Sequence, residues 1–101
     1  MRTDHTYEGW RNRATWNYML RLNNEYAWYR AMCDELPLIA KRNRDAGRRA
    51  SIYKADAMQL GLEIVGIVTP DGSRAADVDW GEIAQAMNEI LREMKRYGGD
   101  Y

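Results

Sequence analysis

The stretch VDWGEIAQAMNEILREM, residues 78–94, decides the fold class of this chain. Its large apolar side chains recur every three or four residues, which is the spacing of one face of an α-helix. They belong to Trp80, Ile83, Ala84, Met87, Ile90, Leu91 and Met94. A helix with one apolar stripe buries that stripe against other elements, so the stretch predicts a helix packed on a globular core.

Local signals mark both ends of this helix. Asp79 followed three residues later by Glu82 is an Asp version of the capping box, which satisfies free backbone N–H groups at a helix start. The glycine pair at residues 98–99 is expected to terminate the helix. The last helix is therefore predicted with defined bounds.

A first helix is predicted over about residues 14–23, where large side chains share one face. Either Asn12 or Thr15 is expected to cap its start, because both residue types accept hydrogen bonds from backbone N–H groups. Residues 1–13 mix polar, aromatic and Gly residues without a period, so they predict an irregular N-terminal arm.

A second helix is predicted over about residues 25–47. Pro37 lacks a backbone donor and clashes with the preceding turn, so the segment is expected either to kink there or to divide into two helices at Leu36. Its apolar stripe comprises Tyr29, Met32, Cys33 and Leu36.

The third segment, residues 50–68, has apolar side chains at helical spacing. Its last part, LEIVGIV at residues 62–68, is also suited to a strand, and Gly61 and Gly66 each weaken a helix by roughly 1 kcal/mol relative to Ala. Helix is favoured, because a lone strand leaves its backbone groups unpaired. The sequence TPDG at residues 69–72 predicts a turn.

Together these segments predict a mainly α fold, a compact bundle of about four helices with an irregular N-terminal arm. A length of 101 residues suits one core, and no repeat or long linker divides the chain. Residues 1–101 are therefore expected to form a single helical domain. A homodimer is left open, because association would add buried surface to a small core.

Cysteine usage and hydropathy indicate a cytoplasmic location. Cys33 is the only cysteine, so no intrachain disulfide forms, which suits a reducing compartment. No apolar run approaches the ~20 residues of a membrane span, and the first residues lack a signal-peptide pattern. Neither membrane insertion nor export is expected.

No residue pattern predicts catalysis, a metal site or a cofactor. The only histidine, His5, lies in the irregular arm, and Cys33 falls on an apolar stripe where a packed thiol is the more common outcome. One Cys and one His cannot build a structural zinc site, and no Gly-rich phosphate loop is present. The chain is expected to bind another macromolecule rather than to act as an enzyme.

The zero net charge hides an uneven distribution. Residues 1–54 hold eleven Lys or Arg against six Asp or Glu, and residues 55–101 hold four against nine, which gives +5 and −5. Such polarity steers a protein toward charged partners through either half.

The densest basic run lies in residues 41–54 and predicts a partner-binding surface. Its members are Lys41, Arg42, Arg44, Arg48, Arg49 and Lys54, interrupted by one acid, Asp45. On a helix end and the next helix start, these cations are expected to line a ridge that contacts phosphates or an acidic protein surface. The alternative is a solvated hinge between two helices.

Trp28 and Arg30 are added to the candidate binding residues. Mixtures of Arg and aromatic residues are enriched in interface hot spots and in platforms for single-stranded nucleic acid. Trp28 is expected on the flank of the second helix, where an exposed indole indicates a contact surface.

Residues 7–17, YEGWRNRATWN, contain the pattern Trp-x-Asn-x-x-Thr-Trp-Asn. In this pattern the chain resembles a group of small, mostly uncharacterised phage and plasmid proteins. The likeness continues at residues 22–25 (LNNE), 29–30 (YR), 69–72 (TPDG), 78–80 (VDW) and 83–84 (IA), and it covers about half of the chain. The motif residues Trp10, Asn12, Thr15, Trp16 and Asn17 are expected to be structural, as caps and packed rings.

The resemblance implies a mobile-element setting, in which small inhibitors of host defence such as anti-CRISPR proteins occur. The leading hypothesis is a stoichiometric inhibitor that binds a protein of a bacterial defence complex, with a CRISPR effector expected. It would block nucleic-acid binding or subunit recruitment, through either the basic or the acidic surface. The alternative is a small nucleic-acid-binding regulator that uses residues 41–54.

Overall fold

A computed structural model describes residues 8–98 of the chain. Within that range the fold is mainly helical, with four α-helices and a short 3-10 helix at Ala75–Asp77. The four helices are α1 (Arg13–Asn24), α2 (Tyr26–Asp45), α3 (Lys54–Ile64) and α4 (Trp80–Gly98). The predicted compact bundle of about four helices is confirmed.

The start of α1 confirms Asn12 as the cap. The Oδ1 atom of Asn12 accepts a hydrogen bond from the backbone N of Thr15 at 2.9 Å. The helix ends at Asn24, because the extended backbone of Glu25 separates it from α2. Of the predicted arm, Trp10 packs partly buried against the core, while Tyr7 and His5 lie outside the described residues.

The second helix is continuous through Pro37, so of the two alternatives that the sequence left open, division at Leu36 is excluded. Met32 and Leu36 are fully buried, and Ile39 and Ala40 nearly so, on both sides of the proline. Burial of this stripe offsets the backbone hydrogen bond that proline cannot donate.

The third helix is shorter than predicted at both ends, and helix over residues 62–68 was wrong beyond Ile64. At the C-terminal end Gly66 adopts φ +107°, a left-handed conformation that stops a helix. Val68 then forms an isolated antiparallel bridge with Arg74. The turn predicted within this loop is confirmed, since the N of Gly72 donates to the carbonyl of Thr69 at 2.9 Å.

The fourth helix begins where its cap predicts, although the capping box forms only in its Asp half. The N of Glu82 donates to Oδ1 of Asp79 at 3.1 Å. The Glu82 carboxylate instead accepts from the backbone N of Arg11 at 2.8 Å, which ties the arm to α4. Gly98 is the last residue of α4, and Gly99 lies outside the described range.

One core, to which all four helices contribute, is organised around Trp80. The Trp80 ring meets that of Tyr18 edge-on, with centroids 5.4 Å apart, and its Nε1 donates to the carbonyl of Ala75 at 3.1 Å. Gly61 of α3 lies directly against the Trp80 ring, which leaves no room for a Cβ atom. This close approach brings α3 onto α4.

Candidate functional site

The predicted basic residues do not form one ridge. Arg42 lies between α2 and α3, where its Nη2 is 3.3 Å from the Asp56 carboxylate. Lys41 and Arg44 lie on the side of α2 that faces α4. Their nearest acid is Asp45, at 2.9 Å from Lys41 and 3.9 Å from Arg44. The cations of α2 are thus divided between two surfaces.

The basic residues after α2 help to build the connection to α3. The Nη2 atom of Arg48 donates to Oδ1 of the fully buried Asn43 at 2.6 Å, and its guanidinium lies 5.5 Å from the centre of the Tyr53 ring. The backbone N of Arg49 donates to the Tyr53 hydroxyl at 3.2 Å. These contacts match the hinge alternative for this part of the run.

Lys54 lies apart from the other cations, at the first position of α3. It lines a polar cleft together with Arg11, Asp77 and Asp79. Two carboxylates close to two cations leave this cleft without a dominant charge.

Trp28 and Arg30 differ in their surroundings. The Trp28 side chain is partly buried, whereas Arg30 is exposed and donates to the Tyr26 hydroxyl at 3.3 Å. Arg30 lines a surface cavity together with Tyr26 and Tyr29. Arg30 therefore faces a concave surface.

A concave surface lies between α2 and the C-terminal part of α4, and we call it the α2–α4 groove. It consists of two cavities, of about 270 and 450 Å³, that adjoin at Pro37. The smaller cavity is lined by Pro37, Leu38, Ala40, Lys41, Arg44, Ala50, Leu91 and Lys95. The larger is lined by Tyr26, Tyr29, Arg30, Cys33, Asp34, Pro37 and Met94.

Apolar side chains form the floor of the groove, and several are unusually open to solvent. Leu38 is 59% exposed and Tyr26 is 75% exposed. Burial raises the pKa of the Cys33 thiol, and a hydrogen bond with that thiol raises the pKa of the Tyr29 hydroxyl. Both groups therefore stay neutral near pH 7, so this end of the floor carries no thiolate or phenolate charge.

The rim of the smaller cavity is cationic. All three charged residues that line it, Lys41, Arg44 and Lys95, are basic, and Lys95 forms no ion pair within residues 8–98. Sequence reasoning had selected Arg44 and Arg30 but missed Leu38, Leu91 and Lys95. Leu38 lies off the buried apolar stripe of α2. An apolar residue at such a position is the sequence signal that could have indicated a contact surface.

The polar motif residues of the phage and plasmid resemblance, Asn12, Thr15 and Asn17, make partly buried hydrogen bonds within the fold. The Thr15 hydroxyl donates to Asn12 Oδ1 at 2.7 Å and accepts from the N of Asp79 at 2.8 Å. Asn17 Nδ2 donates to the Asp71 carboxylate at 3.0 Å. The early and late parts of the likeness therefore meet in space, which supports the structural roles expected for Asn12, Thr15 and Asn17.

Asp71 holds the 69–74 loop to α1 through hydrogen bonds and charge. Hydrogen bonds from Asn17 and then from Arg21, whose Nη2 lies 2.8 Å from Asp71 Oδ1, lower the pKa of the Asp71 carboxyl. The loop that contains Asp71 is thus fastened to α1 by an ionised carboxylate.

Residues 8–98 contain neither a group of side chains able to hold a metal ion nor a helix able to cross a membrane. No group of three or more His, Cys, Asp or Glu side chains lies close enough to hold a metal ion. None of the helices there has the length and apolar character needed to span a bilayer.

No protein-family model matches the chain, and no curated protein or solved structure is significantly similar to it. The resemblance to phage and plasmid proteins therefore stays a prediction from the residues that carry it.

Proposed function

We propose that this protein acts by binding another protein stoichiometrically, with the α2–α4 groove as its contact surface. The observation that carries the proposal is a concave apolar floor left open between two helices and bordered by cations at its smaller cavity. Exposed apolar patches with a polar rim are typical of interaction surfaces, and a groove between helices is a common receptor for a partner segment.

The distribution of cations favours a protein partner over nucleic acid. A duplex-binding protein needs Lys and Arg aligned along the phosphates. Here Arg42 points into a cleft with Asp56, and Arg48 is bonded to Asn43. A regulator that binds nucleic acid through residues 41–54 is accordingly the weaker alternative.

We further propose that the partner belongs to a bacterial defence complex, a CRISPR effector being the first candidate. This narrower proposal is supported by the Trp-x-Asn-x-x-Thr-Trp-Asn motif at residues 10–17 and the mobile-element setting that it implies. Occupying a subunit in this way would block its nucleic-acid binding or the recruitment of another subunit.

Affinity capture from bacteria that carry CRISPR and other defence systems tests both proposals. Leu38→Glu places a carboxylate on the apolar floor, and Met58→Glu is the matched control, because Met58 is 44% exposed on α3 away from the groove. We expect the unaltered protein and Met58→Glu to retain the same defence protein and Leu38→Glu to lose it. Retention of no defence protein would contradict the proposed setting, and equal retention by both variants would contradict the proposed surface.

A further inference from the structure

The smaller cavity of the α2–α4 groove points to a partner of specific chemistry. Resting on the proposed function, we infer that the groove receives an acidic amphipathic helix of the partner protein. An apolar side chain of that helix enters between Leu38 and Leu91, and its carboxylates meet Lys41, Arg44 and Lys95. The shape of the groove, its charge and the poor fit of other occupants support this inference in turn.

The shape of the groove suits a helix. Its lining residues on α2 run from Tyr26 to Arg44, which at 1.5 Å per residue corresponds to about 27 Å. A partner helix of about 18 residues has the same length. The smaller cavity, about 270 Å³ in volume, is large enough for a bulky apolar side chain. Helices that bind in grooves use such anchors at intervals of three or four residues.

The charge of the smaller cavity selects an anionic helix, whereas the larger cavity is lined by one cation, Arg30, and one acid, Asp34. Three cations line the smaller cavity, and the acid that pairs with two of them is Asp45. Lys95 has no ion pair within the described part of the chain. A partner carboxylate would therefore meet uncompensated positive charge. This attraction speeds the encounter of the two proteins and helps to fix the position of the partner helix along the groove.

Other occupants fit less well. In a twofold dimer through this groove, the same patch would contact itself, so the cationic rim of one copy would lie near that of the other. Nucleic acid would pair with the cationic rim but leave the exposed apolar side chain of Leu38 in water. An acidic amphipathic helix would cover the apolar floor with its apolar side chains and pair its carboxylates with the cationic rim.

Two synthetic peptides of about 18 residues test the inference. Both carry Leu at every third or fourth position; one has Glu and the other Lys at the remaining charged positions. Fluorescence anisotropy should show binding of the acidic peptide and at least about tenfold weaker binding of the basic one. Equal binding of the two peptides, or binding of neither, would overturn the inference.

Charge reversal at the rim tests whether the acidic peptide binds at this site. Lys95→Glu should weaken binding of the acidic peptide about tenfold and strengthen binding of the basic peptide. Arg92→Glu is the matched control, because Arg92 is exposed on α4 and lines neither cavity. If both variants change affinity equally, the effect is one of net charge and the rim is not the site. Circular dichroism verifies that each variant is folded.

Asp45 offers a test in the opposite direction. Its carboxylate competes with the partner for Lys41 and Arg44, so Asp45→Asn should tighten binding of the acidic peptide about threefold. Glu89→Gln makes the same change in net charge on an exposed part of α4 and should leave affinity unchanged. Weaker binding by Asp45→Asn would count against the proposed charge pairing.

These results separate the inference from the proposed function. A defence protein whose capture depends on Leu38 but is insensitive to Lys95→Glu would leave the function standing and overturn the acidic helix. Binding of the acidic peptide that Lys95→Glu weakens about tenfold, without capture of any defence protein, would support the acidic helix and overturn the proposed defence setting.

Discussion

At the scale of single residues, one buried hydroxyl links the start of α1 to the start of α4. The Thr15 Oγ1 atom donates to the Asn12 cap at 2.7 Å and accepts from the N of Asp79 at 2.8 Å. Thr15 is completely buried, so neither contact is replaced by solvent when the hydroxyl is removed. The hydroxyl group of Thr15 is therefore expected to contribute more to stability than the volume of its side chain.

Thr15→Val should lower the free energy of unfolding by about 1–3 kcal/mol, because it leaves the buried N–H of Asp79 without an acceptor. Thr15→Ser keeps the hydroxyl and loses one methyl group, so it should cost less, about 1 kcal/mol. Urea denaturation of both variants measures the difference. A larger loss of unfolding free energy in Thr15→Ser than in Thr15→Val would show that packing, not the hydroxyl, stabilises the contact between the starts of α1 and α4.

The Asp71 carboxylate makes the 69–74 loop sensitive to acid. Asn17 and Arg21 hold the pKa of Asp71 below its ordinary value of 3.8 in the folded chain. The unfolded chain then binds the proton more readily, so the contribution to stability is complete above about pH 4 and is lost as pH falls through the folded-state pKa.

Asp71→Asn should therefore lose less stability on acidification than the unaltered chain. The asparagine oxygen still accepts hydrogen bonds but does not titrate. Urea midpoints measured from about pH 5 to pH 2 test this expectation. Lys41 also lowers the pKa of Asp45, so some pH dependence should remain in the variant. If the urea midpoint falls equally steeply with pH in Asp71→Asn and in the unaltered protein, Asp71 has no role in the acid sensitivity.

At the scale of elements, the sequence predicted those helix ends that depend on local signals. Asn12 and Asp79 cap α1 and α4 through contacts three residues away, and such contacts are visible in the chain itself. The end of α3 depends on the left-handed Gly66 and on the pairing of Val68 with Arg74. Apolar periodicity carries no information about such a pairing, so the helix was extended too far.

The packing of α3 on α4 requires glycine at position 61. Alanine is favoured over glycine in a helix by about 1 kcal/mol, but here its Cβ would overlap the Trp80 ring. Gly61→Ala should therefore destabilise the protein by about 1–3 kcal/mol overall. In a Trp80→Phe background, which removes the ring atoms that would overlap, the same change should cost less, so a double-mutant cycle in urea tests the contact. Additive effects of the two substitutions on the free energy of unfolding would contradict a direct contact between position 61 and the Trp80 ring.

At the scale of the whole molecule, folding partly neutralises the charge polarity of the sequence. Cations of the first half pair with acids of the second, as in Arg21 with Asp71 at 2.8 Å and Arg42 with Asp56 at 3.3 Å. The predicted basic ridge is divided for the same reason. The α2–α4 groove was not predictable, because it requires Leu38 and Lys95 to approach across more than fifty residues, and nothing local in the sequence encodes that approach.

This division of charge predicts weak binding to DNA. With Arg42 paired to Asp56 and Arg48 hydrogen-bonded to Asn43, few cations remain aligned for phosphate contact. Anisotropy with a short labelled duplex at ~0.15 M salt should give a Kd of about 1 µM or weaker, the range of non-specific binding. Arg49→Glu combined with Lys54→Glu should change it little. Tight binding that falls steeply with salt and is lost in that double variant would instead establish residues 41–54 as a nucleic-acid surface, because only phosphate neutralisation by those cations produces both effects.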